Sequence, residues 1–212
     1  MGRTEELQDH SGWAIKVALR QWLLASLAST PLLLETHGGE GALWRACYTT
    51  LPPGVVIEQD ASRCRVLHQQ RPGWQVYCGD AVAVLQTYVP RTLAVGLLDC
   101  DPHGEPWPTL EAFFGAPRAW LPTLGVVVTD SLRQGVRYHN GRPLAGLAPY
   151  VTRYGAQVHR FYLQVCRERL AALVAPAGYQ VTAWRGQYGG KILTMTYYAC
   201  VLERLRRGDD VA

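Results

Sequence analysis

The string Leu97-Leu98-Asp99-Cys100-Asp101-Pro102-His103-Gly104-Glu105-Pro106 sets two carboxylates, a fixed turn and an imidazole directly after an apolar run. An amine conjugated to an aromatic ring is a poor nucleophile, because its lone pair is delocalised into the ring. A carboxylate and a carbonyl that accept its hydrogens favour a more tetrahedral nitrogen and take up positive charge as it forms. Asp101 and the Pro102 carbonyl have the groups for this, His103 can stack on the ring, and Pro102 fixes the turn without adding a donor. Asp99 either contacts a cofactor or caps the turn. An Asp-Pro turn after a strand is common in proteins, so its meaning depends on what accompanies it.

A second set, Glu35-Thr36-His37-Gly38-Gly39-Glu40-Gly41, leaves one apolar run and opens a helix-length segment. Glycines in such a turn let the backbone approach a ligand closely, and a helix N-terminus offers free N–H groups to a carboxylate or phosphate. The spacing falls short of the full G-x-G-x-x-G pattern of dinucleotide sites. Glu58 follows Glu35 by 23 residues, where an acid can accept both hydroxyls of a ribose. The plainer alternative for Glu58 is a solvated strand end.

The elements that must position these groups are legible as a beat. Acids close five apolar runs in turn, at Glu35, Glu58, Asp80, Asp99 and Asp130, at intervals of 23, 22, 19 and 31 residues. Each interval accommodates a strand, a turn and a helix. Short apolar runs separated by helix-length segments describe a parallel sheet with crossover helices, and ligands sit beyond the carboxyl ends of such strands. We expect an α/β chain: an opening helix at 13–28, then strands at 32–36, 55–59, 75–79, 94–99 and 124–129. An irregular stretch follows at 131–155, then a helix at about 156–174. Strands at 179–184 and 194–203 close the chain as an antiparallel hairpin. The length of 212 residues suits one domain with a sizeable core.

Composition narrows the function classes. Hydrophobic content of 48% and charged content of 18% are ordinary for a globular chain. No apolar stretch is long enough to span a membrane, and Met1 to Glu6 show no basic-then-apolar leader, so a cytoplasmic location is expected. The six cysteines are scattered, with no C-x-x-C pair and no histidine at metal spacing, so neither disulfides nor a metal site is expected. The net charge is +4, carried almost wholly by arginine.

With these residues in view, the chain resembles the class I S-adenosylmethionine-dependent methyltransferases over about residues 30 to 203. Glu35-x-His37-x-Gly39-x-Gly41 resembles that family's first motif, Ile57-Glu58-Gln59-Asp60 the second, and Cys78-Gly79-Asp80-Ala81 the third. The resemblance implies a Rossmann-like methyltransferase fold, with a mostly parallel seven-stranded sheet and a C-terminal antiparallel hairpin. It implies S-adenosyl-L-methionine as cofactor, held by Glu35, His37, Gly39, Gly41, Glu58, Asp80 and Ala81, with Asp80 facing the adenine amino group. The Asp99-Cys100-Asp101-Pro102-His103-Gly104 string resembles the D-P-P-Y amino methylases and, more closely, the tRNA guanine-N2 dimethyltransferases. Gly125-Val126-Val127-Val128-Thr129-Asp130 resembles a further segment of the latter family. Catalysis by Asp101 and Pro102, with Asp99 and His103 beside them, is what this implies. His37 and His103 stand where the families carry other residues.

From Ser131 to Arg167 there is no Asp or Glu, while arginines alternate with Tyr, His and Phe. Arginine among aromatics suits phosphate contact and base stacking. Residues 131–155 are therefore the expected substrate-facing segment, with Arg133, Arg137, Tyr138, Arg142, Arg153 and Tyr154 as its contacts. The expected partner is nucleic acid, RNA slightly ahead of DNA. Two alternatives stay open: methylation of a small molecule, and a methyltransferase-fold module that binds or assembles without catalysis.

Overall fold

A computed structural model of the chain describes residues 10–138 and 146–205. Five βα-type units come first. Helix α1 (His10–Ser26) precedes strand β1 (Leu33–Glu35); α2 (Ala42–Cys47), β2 (Val55–Glu58), α3 (Ala61–Gln70), β3 (Gln75–Cys78) and α4 (Ala81–Thr87) follow. Then come β4 (Leu97–Cys100), α5 (Trp107–Phe114), β5 (Thr123–Asp130), α6 (Leu132–Tyr138), α7 (Ala148–Tyr154) and a 3-10 turn at Gly155–Arg160. Helix α8 (Tyr162–Val174) leads into β6 (Tyr179–Gly189) and β7 (Met195–Arg204). The sheet runs in the order β3-β2-β1-β4-β5-β7-β6. The first five strands pair in parallel, and β7 lies antiparallel between β5 and β6. This is the expected α/β fold. Among the described residues no helix is long and apolar enough to cross a membrane.

Successive side chains on a strand point to opposite faces, and the two halves of the core divide on that rule. Leu33, Val56, Leu97 and Val127 pack with Leu19 and Leu23 of α1 and Leu67 of α3 on one face. Their neighbours Leu34, Val55, Ile57, Leu98, Val126 and Val128 pack with α4, α5 and α8 on the other. Strands buried on both faces read as continuous apolar runs, which is why the runs, and not an alternation, mark them in the sequence. All six cysteines are unpaired.

Five expectations change. Strand β4 begins at Leu97, not at 94, because Val95 N bonds back to Leu93 O and both Gly96 N and Leu97 N reach Leu32 O. The stretch 131–155 contains two short helices, α6 and α7, where irregular chain was expected. The expected helix at 156–174 splits into the 3-10 turn and α8. Helix α1 also starts and ends earlier than 13–28. Strand β6 continues through Gly186 to Gly189, opposite Tyr198 to Met195.

Candidate active site

The carboxyl ends of β1, β2 and β4 bring the acids together. Glu35 and Asp99 are direct partners in the β1–β4 register, and both are buried. Each is neutralised from below the cleft by its own arginine. Arg71, at the end of α3, donates to Glu35 Oε2 at 2.5 Å. Arg20, on α1, donates from Nε to Asp99 Oδ2 and from Nη2 to Asp99 Oδ1, both at 2.6 Å, and Tyr48 OH adds 2.8 Å to Oδ2. Burial pushes the Glu35 carboxyl up to about 7, with Arg71 pulling the other way. Asp99 is thus committed to a buried network and is not part of the cleft wall.

The turn after β1 is anchored by Thr36 N to Asp99 O and Gly38 N to Ile57 O, both 2.9 Å. Gly38 is where a side chain has no room: a Cβ would lie 2.5 Å from Val56 Cγ2. Gly39 has φ +53 and open space where a Cβ would stand, so this backbone faces the cleft with nothing over it. Its N–H donates to Glu58 Oε2 at 2.6 Å, while Asp60 N reaches Glu58 Oε1 at 2.9 Å. An ionised carboxylate offers about four lone-pair sites, so Glu58 keeps acceptor capacity for further donors. Burial lowers His37 below the usual histidine range, against the pull of Asp101, Glu58, Asp99 and Asp80, and its Nδ1 lies 2.9 Å from Thr36 Oγ1.

A cleft of about 1080 Å³ opens over these strand ends, comparable in size with ligand sites in general. Glu35, His37, Gly39 and Glu58 line it together with Asp101, Pro102 and His103. Asp101 is partly buried, with an edge open to the cleft. Burial alone would raise it, but Arg20 and Lys16 outweigh that and hold it below the usual carboxylate range. Lys16 Nζ sits 2.7 Å from Oδ1 and 2.8 Å from Oδ2. An amine-type donor therefore already occupies the carboxylate that the sequence marks as amine-holding. The loop beyond Pro102 is tied to the end of β5 by Ser131 N to Gly104 O at 3.3 Å.

The remaining expected residues stand elsewhere. Asp80 is exposed and caps α4, accepting from Ala83 N at 3.0 Å; Ala81 is buried in the first turn of that helix, and Gly41, φ +77, opens α2. None of these three lines the cleft. Of the expected substrate contacts, Arg133 is engaged with main-chain carbonyls, Arg137 is exposed on α6, Tyr138 ends that helix, and Arg153 and Tyr154 end α7. The cleft wall includes none of them, taking Ser131 and Gln134 from that region instead. Arg142 lies outside the described residues. Sequence reasoning missed Trp13, Lys16 and Arg20 of α1 and Met195 of β7. The signal was available for α1: Trp13, Lys16 and Arg20 share one helical face in an otherwise apolar segment.

No family model matches the chain, and no curated protein matches it in sequence. Solved structures do match in shape. Trm1 from Pyrococcus horikoshii, determined with S-adenosyl-L-methionine, shares 12% identity at a TM-score of 0.66, over 93% of this chain and 56% of that one. The Escherichia coli protein yhhF, provisionally assigned as a methyltransferase, shares 14% identity at 0.55, over 96% of this chain and 92% of that one. The plantazolicin methyltransferase BpumL, determined with SAH and a triazolic substrate analogue, shares 8% identity at 0.56, over 94% and 87%. The strand order, the antiparallel last pair and these likenesses together give this chain the Rossmann-like fold of the class I S-adenosylmethionine-dependent methyltransferases.

Proposed function

We propose that this chain is an S-adenosyl-L-methionine-dependent N-methyltransferase acting on an exocyclic amine of a nucleic-acid base, RNA before DNA. The observation that carries the reading is Asp101. It is an anionic carboxylate that lines one cleft with Pro102, His103, the glycine turn and Glu58; it accepts the Lys16 ammonium at Oδ2, while Oδ1, ion-paired to the same group, has no hydrogen bond of its own among the described residues. The cofactor fits the residues present. Gly39 leaves its backbone uncovered, Glu58 keeps lone pairs for ribose hydroxyls, and the cleft has the volume. Bound there, the cofactor supplies an electrophilic methyl group. Glu35 would act by fixing the strand end, His37 and Gly41 by shaping the turn, and Asp80, anchored by the buried Ala81 at the head of α4, by reaching the adenine amino group from beyond the cleft wall.

The rest is the work of the chain's own groups. Asp101 and the Pro102 carbonyl accept the hydrogens of the incoming amine, align its lone pair and stabilise the developing positive charge. Lys16 must yield one or both Asp101 oxygens as the amine enters. His103 stacks on the base at the cleft mouth, and Asp99, locked by Arg20, sets the position of Asp101 through the two-residue strand end. Arg137, Arg153 and Tyr154 would meet the polynucleotide outside the cleft, with Arg142 and Tyr138 in the same stretch of chain. A cytoplasmic site of action goes with this reading.

The motif resemblance to the tRNA guanine-N2 dimethyltransferases supports a tRNA-type substrate, and the likeness to the plantazolicin methyltransferase supports a second reading, a small-molecule acceptor. Calorimetric titration with S-adenosylhomocysteine, beside Glu58→Ala, tests the cofactor site: micromolar binding that the variant loses is expected, and no binding at millimolar ligand would remove the reading. Asp101→Ala is expected to keep that affinity while abolishing methyl transfer to an RNA pool. Transfer that survives in the variant would remove Asp101 from the reaction. Binding of RNA that weakens steeply with salt separates a polynucleotide from a small acceptor.

A further inference from the structure

Strand β7 begins beside the cleft. Met195 is part of its wall, and Thr196 pairs with Asp130 at the carboxyl end of β5. The turn that precedes it, joining β6 to β7, is therefore presented at the same edge of the sheet. At its tip stand Ile192, φ 54 and ψ 32, and Leu193, φ 55. Two consecutive non-glycine residues in the left-handed region are strained, the β-branched one most of all. Asn or Gly would adopt this turn more readily. Nor does packing explain the choice: Ile192 is 65% and Leu193 53% exposed. Neither conformation nor core burial accounts for two large aliphatic side chains here, and strained backbone of this sort concentrates at ligand clamps and switches.

The strain is imposed by a specific brace. Arg133 on α6 donates to Leu193 O and, at 3.0 Å, to His159 O, and its guanidinium lies 3.9 Å from the centre of the Tyr188 ring. Tyr188 OH in turn accepts from Leu163 N at 2.9 Å. The hairpin is thereby joined to the segment around 155–163. On that segment Phe161, 47% exposed, stacks on Tyr154 with ring centres 4.9 Å apart and planes 19° from parallel. Arg137 and Arg160 are exposed over the same stretch, which has no acidic residue from Ser131 to Arg167, while Arg153, also exposed, pairs with Glu168 at 3.0 Å.

We propose that the Ile192–Leu193 tip and the Tyr154–Phe161 stack form a docking surface for single-stranded nucleic acid beside the cleft. This rests on the nucleic-acid reading above and deepens it. The stack takes a base that flanks the target, since aromatic platforms hold any base by its face. The tip acts as an aliphatic wedge between that base and its neighbour, as apolar side chains do in unstacking base steps. Arg133 is the brace of this surface and does not contact phosphate; Arg137 and Arg160 supply the charge, and Arg153 joins them only by leaving Glu168. A purely apolar partner would gain nothing from that charge, which is why a polyanion with planar bases is the occupant.

The test uses the whole chain and a single-stranded RNA labelled with 2-aminopurine, whose fluorescence rises when the base is unstacked. Ile192→Asn with Leu193→Asn suits the left-handed turn better than the native pair, so its melting temperature is expected to equal or exceed that of the native chain. Its RNA affinity is expected to fall about tenfold and the fluorescence rise to disappear, in line with the loss of one stacking-type contact. Phe161→Ala is expected to weaken binding by a similar factor. If the native chain binds RNA and both variants bind equally well with the same fluorescence, the wedge is overturned while the nucleic-acid reading stands. If the native chain binds no RNA at low salt, both are overturned. Loss of self-association in the Asn variant, with RNA binding unchanged, would assign the tip to contact with a second copy of the chain and also overturn the proposal.

Discussion

Arg20→Met should be among the most damaging single substitutions in this protein. The guanidinium is 1% exposed, makes two 2.6 Å bonds to Asp99 and donates to Lys16 O at 3.0 Å. Removing it leaves Asp99 buried with one remaining bond, from Tyr48 OH. Breaking a buried pair from one side costs about 3–5 kcal/mol, because the surviving charge has neither partner nor water. For a chain of this size each kcal/mol moves the melting temperature by roughly 2–4 °C, so a drop of about 10 °C is expected by circular dichroism. Adding Asp99→Asn removes the orphaned charge and keeps an acceptor for Tyr48, so the double variant should recover at least half of the loss. An Arg20→Met protein that melts within about 2 °C of the native one, or a double variant no better than the single, would refute the argument that Arg20 exists to neutralise Asp99.

Gly38→Ala should destabilise by about 1–3 kcal/mol through overpacking, since its Cβ would meet Val56 Cγ2 at 2.5 Å and Leu67 Cδ1 at 2.9 Å; thermal melts check this. Asp80→Ser should keep the cap of α4, and hence stability, while lowering affinity for S-adenosylhomocysteine; unchanged affinity would leave Asp80 as a cap alone. Asp130 is buried at the end of β5 and pushed up to about 6 by that burial, so the folded chain binds its proton more tightly than the unfolded one. Its contribution to stability therefore declines as pH rises from about 4 to 6 and stays at its least favourable above that. The stability of Asp130→Asn relative to the native chain, measured by urea unfolding, should improve between pH 5 and pH 7.5; no change with pH would contradict the shift.

The sheet was legible because its strands are buried on both faces, so each appears as an unbroken apolar run that must stop where the chain meets the cleft. Val126-Val127-Val128 is the clearest case. The run Leu93-Ala94-Val95 misled for the same reason, being apolar but folded back on itself before Leu97. Gly186 and Gly189 read as loop, yet their strand pairing is maintained by Tyr198 and Met195, partners that propensity cannot see. Helices α6 and α7 were missed because each is 7 residues long, too short for a period to declare itself. In the site, acids at strand ends could be found by position, whereas Lys16 on Asp101 and Arg20 on Asp99 span 85 and 79 residues of chain, so the polar face of α1 is visible in the sequence but its partners are not. The basic, aromatic stretch was visible as composition, but its described arginines lie outside the cleft.

The docking of α1 sets an order on assembly during synthesis. Leu19 and Leu23 of this helix pack with Tyr197, Ala199 and Val201 of the last strand, and a Cβ on Gly12 would meet Tyr197 OH at 2.5 Å. Its two cations reach Asp99 and Asp101 in the middle of the chain. On the ribosome the first helix thus emerges before β5 and long before β7, both of which it packs against, and its full docking over the two aspartates awaits the release of β7. The acceptor half of the cleft is consequently the last part of the molecule to mature. A nascent or C-terminally truncated chain could form the β1–β3 side and still lack any competence that depends on Asp101.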